Sequence, residues 1–228
     1  MHIDVNWNSE IRERLLQLAI CVGLIDEVSI QKENEQLRQL KTTLYEEVRR
    51  KYAVGTLKDD LTVKAYRSLY WKLDIDPTKT RPAGEVLLRR VLHGEQLPNI
   101  STVVDAYNLA SMKTIVPMSG FDRDLLTPPF QVRFARDGET FMGIGMETPM
   151  LLTQKMLVLT DEKQVLCNYP YRDCNHTKIT MTTKNVAIVG YGAPGMVSDQ
   201  LKEAVETALS FIKQVSGGEM TTTEVFRS

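Results

Sequence analysis

The sequence is poor in the residues from which metal centres and disulfide frameworks are built. It has only three cysteines and three histidines in 228 residues. Cys21, Cys167 and Cys174 are odd in number and lack C-x-x-C spacing, which excludes a disulfide framework and a cysteine-based zinc site. Cys174 and His176 lie two residues apart, but a complete metal site needs about three or four ligands. We therefore expect no metal, no cofactor and a polar loop around His176.

Long apolar runs and an excess of one charge are also missing. The longest apolar run, residues 18–25, is far shorter than the roughly 20 residues of a membrane-spanning helix. The first residues do not have the basic and then apolar arrangement of a signal peptide. The net charge of −1 argues against a dedicated nucleic-acid binder that relies on bulk electrostatics. The sequence predicts a soluble, cytoplasmic protein that has no membrane partner.

Charge is nevertheless unevenly distributed along the chain. Between residues 41 and 90, twelve lysines and arginines stand against seven acidic residues, a local excess of five. Such a segment is commonly a solvated helix surface of mixed charge. Contact with RNA phosphates is the alternative interpretation, and the sequence leaves both open.

The spacing of apolar residues predicts helices first and strands second. Leu37, Leu40 and Leu44 recur at helical spacing, whereas Phe130 and Val132 alternate with polar residues as in a half-buried strand. This order indicates a single α+β domain spanning residues 1–228 rather than a parallel βαβ sheet. Helices are predicted at about 32–52, 61–73, 82–92, 101–113 and 198–215. Strands are predicted within 15–30 and at 130–134, 155–159, 164–168 and 185–189, with a hairpin turn at 160–163 and a loose tail at 216–228.

One glycine-rich segment imitates a cofactor motif. Residues 190–195 match G-x-G-x-x-G after a predicted strand and before a predicted helix, the context of a dinucleotide fingerprint. The second strand and the acidic residue that would hold a ribose are missing, however. Pro194 also removes a backbone N–H from the loop. A glycine-rich connector is therefore the default interpretation.

Polar residues crowd the boundary between the helix at 101–113 and the loop that is expected to follow it. They can satisfy backbone groups around Pro98 and Pro117, or they can contact a ligand, and both interpretations stay open. Arg172 and Asp173 pose the same choice between a salt-bridged turn and a site. The polar residues at the boundary are Asp105, Tyr107, Asn108, Ser111, Ser119, Asp122 and Asp124.

Three stretches, taken in order, resemble the B3/B4 domain family. They are LLRRVLHGEQLPNISTVVDAYNLASMKTIVPMSGFDRD, FQVRFARDGETF and YRDCNHTKITMTTKNVAIVG. This domain is part of the β subunit of bacterial phenylalanyl-tRNA synthetase, and it also occurs as stand-alone proteins of about this length. The similarity extends from about residue 15 to residue 211 and is densest over 75–183. It implies a domain of mixed helices and mainly antiparallel strands.

The resemblance also implies an aminoacyl-ester pocket, because in the synthetase this domain hydrolyses tyrosine wrongly esterified to the phenylalanine tRNA. Catalytic roles are then expected for Asn108 in polarising the carbonyl, and for Ser119 or His176 in holding a water molecule. The chain departs from the editing pattern, since the synthetase has a histidine where Ser119 stands. The second editing segment of the synthetase contains an acidic residue that has no clear equivalent near His176 or Lys178. Substrate contacts are expected from Tyr107, Ser111, Gly120, Asp122, Arg172, Asp173 and Thr180.

Three functions are compatible with these features. The chain is expected to be a deacylase that acts in trans on aminoacyl-tRNA, a non-catalytic RNA-binding module, or a binder of an amino-acid-like small molecule. The basic segment favours the first two, and the near-zero net charge favours the third. Full synthetase activity is not expected, because no ATP site is visible. A steep salt dependence of RNA binding would separate the two RNA-dependent functions from the third.

Overall fold

Helices and strands of residues 3–228, the part of the chain that this computed structural model describes, build an α+β fold, as the sequence predicted. None of the helices formed by these residues is long and apolar enough to cross a membrane. The helices are α1 Ser9–Arg14, α2 Glu35–Lys51, α3 Leu61–Lys72, α4 Ala83–Leu92, α5 Thr102–Thr114 and α6 Ser198–Ser216. The strands are β1 Val5–Trp7, β2 Ala19–Asp26, β3 Met118–Asp122, β4 Phe130–Phe134, β5 Thr140–Phe141, β6 Met150–Leu151, β7 Leu157–Thr160, β8 Val165–Tyr169, β9 Arg172–Asp173, β10 Val186–Gly192 and β11 Glu219–Arg227.

A four-stranded antiparallel sheet occupies the middle of the molecule, with strand order β11-β2-β10-β3. Successive side chains of a strand point to opposite faces. Cys21 and Ile25 accordingly join the core beneath the helices, whereas Ile20, Val22 and Leu24 join the core on the other face. Burial on both faces explains why β2 is a nearly continuous apolar run. The predicted buried strand within residues 15–30 is confirmed.

The second sheet packs against the face of the first that carries Ile20 and Val22. Its strand order is β1-β4-β7-β8-β9, antiparallel except for the β1–β4 pair. The hairpin predicted at residues 160–163 joins β7 to β8. The apolar side chains of β4, β7 and β8 fill the space between the two sheets, together with α1 and α3. The fold is therefore a stack of helices, sheet and second sheet.

The glycines of the G-x-G segment pack helix against sheet. Gly190 and Gly192 lie inside β10 rather than in a turn. A Cβ atom at Gly190 would lie 2.6 Å from a methyl group of Val205, and one at Gly192 would lie 2.9 Å from a methyl group of Leu201. Because both neighbours belong to α6, the missing side chains let this helix approach the sheet closely. The connector interpretation therefore holds only for residues 193–197, which join β10 to α6, and is wrong for Gly190 and Gly192.

Two expectations about irregular segments are wrong. The tail predicted to be loose at 216–228 forms β11, which pairs with β2 from Glu219 to Arg227. Its mostly polar side chains are exposed, so the backbone ladder and the β-forming threonines, rather than an apolar pattern, define this edge strand. The segment expected to be a loop after α5 is β3, which places Ser119, Gly120 and Asp122 on a strand. Helix α6, which precedes β11, agrees with the helix predicted at 198–215.

Candidate functional site

A cleft lies where β3, β9 and β10 meet the helices α3 and α4. It encloses about 470 Å³, including space open to solvent. Both sheets contribute to it, because β3 and β10 belong to the first sheet and β9 belongs to the second. Its wall is aromatic, and the tyrosines that line it are Tyr70, Tyr169, Tyr171 and Tyr191.

Three polar side chains form a chain of hydrogen bonds in this cleft. Ser119 Oγ donates to Asp173 Oδ1 at 2.5 Å, and Tyr191 Oη donates to Ser119 Oγ at 2.9 Å. Ser119 and Tyr191 are buried. The antiparallel register of β3 and β10 brings these two residues together, since Ser119 pairs with Val189 and Tyr191 N–H bonds to Pro117 O. The serine is therefore fixed between a phenol and a carboxyl group.

Asp173 has a pKa that lies closer to neutral pH than that of an ordinary aspartate. Burial raises the pKa of Asp173 from 3.8 to about 6, although hydrogen bonds from Ser119 and the Cys167 thiol act in the opposite direction. The carboxyl group is mostly ionised at pH 7 and protonated below pH 6. A carboxylate with such a pKa can accept a proton from a water molecule near neutral pH.

Three of the tyrosines of the cleft are hydrogen-bond donors at all ordinary pH values, because burial raises the pKa of Tyr70, Tyr169 and Tyr191. The Tyr169 hydroxyl is buried and has no hydrogen-bond partner among the described residues. Tyr70 is close enough to contribute to the raised pKa of Tyr169, but the two hydroxyls lack hydrogen-bond geometry. An unpaired buried hydroxyl costs about 1–3 kcal/mol. A ligand atom that paired with Tyr169 would remove this cost.

Of the predicted site residues, Ser119, Arg172 and Asp173 line the cleft. Arg172 is exposed, and its Nη1 donates to Ile144 O at 2.7 Å. Asp173 bonds to Ser119 instead of Arg172, so the alternative of a salt-bridged turn is wrong. The three residues come from β3 and β9, which are far apart in sequence.

Four predicted residues lie on or near α5, outside the residues that line the cleft. The Tyr107 ring packs behind β3, where a Cβ atom at Gly120 would lie 2.6 Å from it. Asn108 is half-buried, and none of the described residues hydrogen-bonds to its side chain. Ser111 Oγ donates to Val116 O at 2.7 Å, which holds the chain after the helix. Asp105 accepts from Ile100 N–H and Lys41, so its role is structural.

The remaining predicted residues lie at other places. His176 is exposed in the loop after β9 and does not line the cleft. Asp122 Oδ2 accepts from Thr183 Oγ1 at 2.6 Å, at the opposite end of β3 from the cleft. Thr180 belongs to that group, because its N–H donates to Thr183 Oγ1. These residues do not share a site with Ser119.

Three residues that line the cleft were not predicted from the sequence as part of a site: Tyr191, Tyr169 and Cys167. The period of two along β10 places Tyr191 on the same face as Val189, but only the pairing of β10 with β3 shows that this face meets Ser119. No group of histidine, cysteine, aspartate and glutamate side chains within residues 3–228 is arranged to hold a metal ion.

Known proteins share sequence similarity with this chain. A model of the B3/4 domain matches residues 65–217. The phenylalanine–tRNA ligase beta subunit of Haemophilus ducreyi is 27% identical over 145 residues, which is 54% of this chain and 18% of that protein. The corresponding subunit of Neisseria meningitidis serogroup B is 24% identical over 167 residues, or 63% of this chain and 21% of that protein. This chain thus spans about a fifth of the length of these curated relatives.

A solved structure has the same fold. It is an N-terminal fragment of the phenylalanyl-tRNA synthetase beta-subunit from Pyrococcus horikoshii, with a TM-score of 0.53 and 15% sequence identity. The superposition covers 96% of this chain and 50% of that one. At this identity the likeness concerns the fold alone.

Proposed function

The chain belongs to the B3/4 domain family, and from this premise we propose that it hydrolyses the ester between a wrongly attached amino acid and the end of a tRNA. The observation that carries the proposal is the Ser119–Asp173 pair in a cleft lined by tyrosines. The relatives are named as tRNA ligase subunits, which supports tRNA as the partner. The aromatic wall suits the side chain of an amino acid.

In the proposed reaction, Asp173 acts as the general base. Its ionised carboxyl group accepts a proton from a water molecule while the water oxygen adds to the ester carbonyl carbon. The carbon–oxygen bond to the ribose then breaks, and the departing ribose oxygen takes up the proton that Asp173 accepted, which restores the ionised carboxyl group. Ser119 positions the carboxylate through its hydrogen bond, and Tyr191 in turn fixes Ser119. Nothing in this scheme requires a covalent enzyme intermediate.

The unpaired Tyr169 hydroxyl supplies a donor for the ligand. In the proposed complex it donates a hydrogen bond to an oxygen of the bound aminoacyl group. Asn108 and His176 do not line the cleft, so the proposal assigns no chemistry to them. The expected catalytic roles thus move to Asp173, with Ser119 as a positioning residue.

The test is a deacylation assay. The purified chain is incubated with a panel of correctly and wrongly charged tRNAs, and the released amino acid is measured. We expect selective release from a mischarged species and loss of that release in Asp173→Asn. Asp137→Asn, at an exposed aspartate in a turn, is the matched control. Release at the uncatalysed rate from every tRNA would reject the hydrolase.

Binding of a free amino acid is the second candidate, and one observation favours it. Arg172 is exposed at the cleft, and its guanidinium group can pair with a carboxylate, which an ester lacks. Calorimetric titration with free amino acids and with their amides decides between the two. A strong preference for the free carboxylate that Arg172→Ala abolishes would support this candidate, whereas equal binding of acid and amide would reject it.

A further inference from the structure

Three arginines surround one buried glutamate beside the cleft. We propose that Arg67, Arg81 and Arg89, called here the arginine cluster, bind phosphate groups of an RNA strand whose end enters the cleft. This inference rests on the proposed function for the identity of the strand. The cluster carries three positive charges against the single negative charge of Glu85. Guanidinium groups match the oxygen geometry of phosphate better than ammonium groups do.

Glu85 holds two of the arginines in fixed positions. Its side chain is fully buried, and Arg67 approaches it with two hydrogen bonds of 3.0 and 2.6 Å. Arg89 Nε donates to the same carboxylate at 2.7 Å. Burial alone would raise the pKa of Glu85, but these hydrogen bonds more than offset it and lower the pKa. The glutamate is thus ionised and already occupied, and it serves to orient the arginines.

The arginines keep donors that the protein does not use. Among residues 3–228 no acceptor bonds to Arg67 Nη1, to either terminal nitrogen of Arg89, or to any nitrogen of Arg81. Arg81 lies 3.8 Å from Glu85 and is the most exposed of the three. Since each guanidinium has about five N–H donors, most remain available to a ligand. Side chains held in place lose less entropy on binding.

The position of the arginine cluster connects it to the cleft. Arg67 precedes Tyr70 by one turn of α3, and Tyr70 lines the cleft. Arg81 and Glu85 flank Ala83, which also lines the cleft. No side chain caps the N-terminus of α4, which begins at Ala83. Its unpaired N–H groups add to the positive potential at this place.

Some basic side chains of the segment 41–90, including Lys41 and Arg90, have carboxylates of their own. Lys41 pairs with buried Asp105 at 2.6 Å, and Arg90 pairs with Glu95 at 3.1 Å. The arginine cluster differs because three cations share one anion. The local excess of positive charge seen in the sequence is therefore partly concentrated at the border of the cleft. A membrane or an extended acidic surface would demand a wider patch.

RNA binding can be tested without any reaction. The probe is a short, single-stranded RNA with the tRNA 3′ sequence and no attached amino acid, and its affinity for the full chain is measured at several salt concentrations. We expect Arg81→Ala to weaken binding several-fold and to reduce the slope of log affinity against log salt by about 0.7. Arg81→Lys should retain part of the affinity. Arg38→Ala, at an exposed ion pair on α2, is the matched control.

The outcomes separate this inference from the deacylase proposal. If Arg81→Ala left the slope of log affinity against log salt unchanged, the inference would be overturned. The arginine cluster would then have only the structural role of linking α3 to α4. Inorganic phosphate or adenosine monophosphate that competed as strongly as the RNA would also overturn it, in favour of a small-anion site. Because the RNA carries no amino acid, an inactive cleft does not affect the result. A thermal melt checks that Arg81→Ala remains folded.

Discussion

The two ends of β3 carry the same pair of groups in different surroundings. At the cleft, Ser119 Oγ donates to Asp173 at 2.5 Å, and at the other end Thr183 Oγ1 donates to Asp122 at 2.6 Å. Asp122 also accepts from the N–H of Asp124, so it stabilises a turn. Asp173 instead lies in a cleft with an unpaired tyrosine hydroxyl nearby. The pair at the cleft is thus distinguished as a candidate site by its burial and by the unpaired tyrosine hydroxyl nearby.

The largest expected difference between the two ends is in hydrolysis. Asp173→Asn removes the general base and should lower the rate of amino-acid release by about 10²–10⁴-fold. Asp122→Asn should lower thermal stability, because the turn loses an acceptor, but should change the rate little. Initial rates of both variants on the best mischarged tRNA check this. Equal losses in the two variants would mean that the ends of β3 do not differ in function.

The next effect concerns Tyr169. Tyr169→Phe removes the unpaired hydroxyl and should weaken binding of the aminoacyl ligand by about 1–2 kcal/mol, roughly ten-fold. The same variant should be equally stable or slightly more stable than the original chain without ligand, because a buried unpaired group is gone. Ligand titration and thermal unfolding measure the two quantities. A stability loss without an affinity loss would assign Tyr169 to the core alone.

The pH dependence of hydrolysis should follow Asp173. Only the ionised carboxyl group accepts a proton, so the rate should rise with pH through a pKa of about 6. The hydrogen bond from Ser119 lowers this pKa, so Ser119→Ala should shift the midpoint to higher pH. Rates between pH 5 and 8, measured for both proteins, provide the test. A rate that did not change between pH 5 and 8 would show that Asp173 does not take part in the proton transfer.

The smallest effect is on stability. The pKa of Asp173 is higher in the folded chain than its ordinary value of 3.8, so the folded state holds its proton over a wider pH range. Stability from this group is therefore lost as pH rises from about 4 to 6, by on the order of 1–3 kcal/mol. Asp173→Asn should reduce this dependence, as unfolding in urea at pH 4, 5 and 7 would show. If the stability of the original chain and of Asp173→Asn depended on pH in the same way, the raised pKa of Asp173 would be contradicted.

Local signals in the sequence predicted five of the six α-helices in residues 3–228 and missed the short helix α1. Asp60 accepts from the N–H groups of Thr62 and Val63, and Ser101 accepts from the N–H of Val104, so polar side chains cap the starts of α3 and α5. Strand β11 was missed because its partner β2 is almost 200 residues away and its own side chains are polar. Pairing between distant strands leaves little trace in either segment alone.

The difference between local signals and long-range strand pairing also explains which residues of the candidate site were predicted. Ser119 and Asp173 were identified by residue type and resemblance, but their contact spans 54 residues and Tyr191 lies 72 residues beyond Ser119. Asn108 was expected in the site because the resemblance to the B3/B4 domain family implied a pocket near it and Ser119. The helix that carries it packs against the other face of the sheet. The strand register, which single-residue patterns do not specify, decides which polar residues share the cleft.

The most direct test of this account compares amino-acid release by the original chain and by Asp173→Asn on the same panel of mischarged tRNAs. We expect selective release by the original chain, with a rate that rises through pH 6, and little release by the variant. Equal release by both proteins would contradict the assignment of the cleft as the site of hydrolysis.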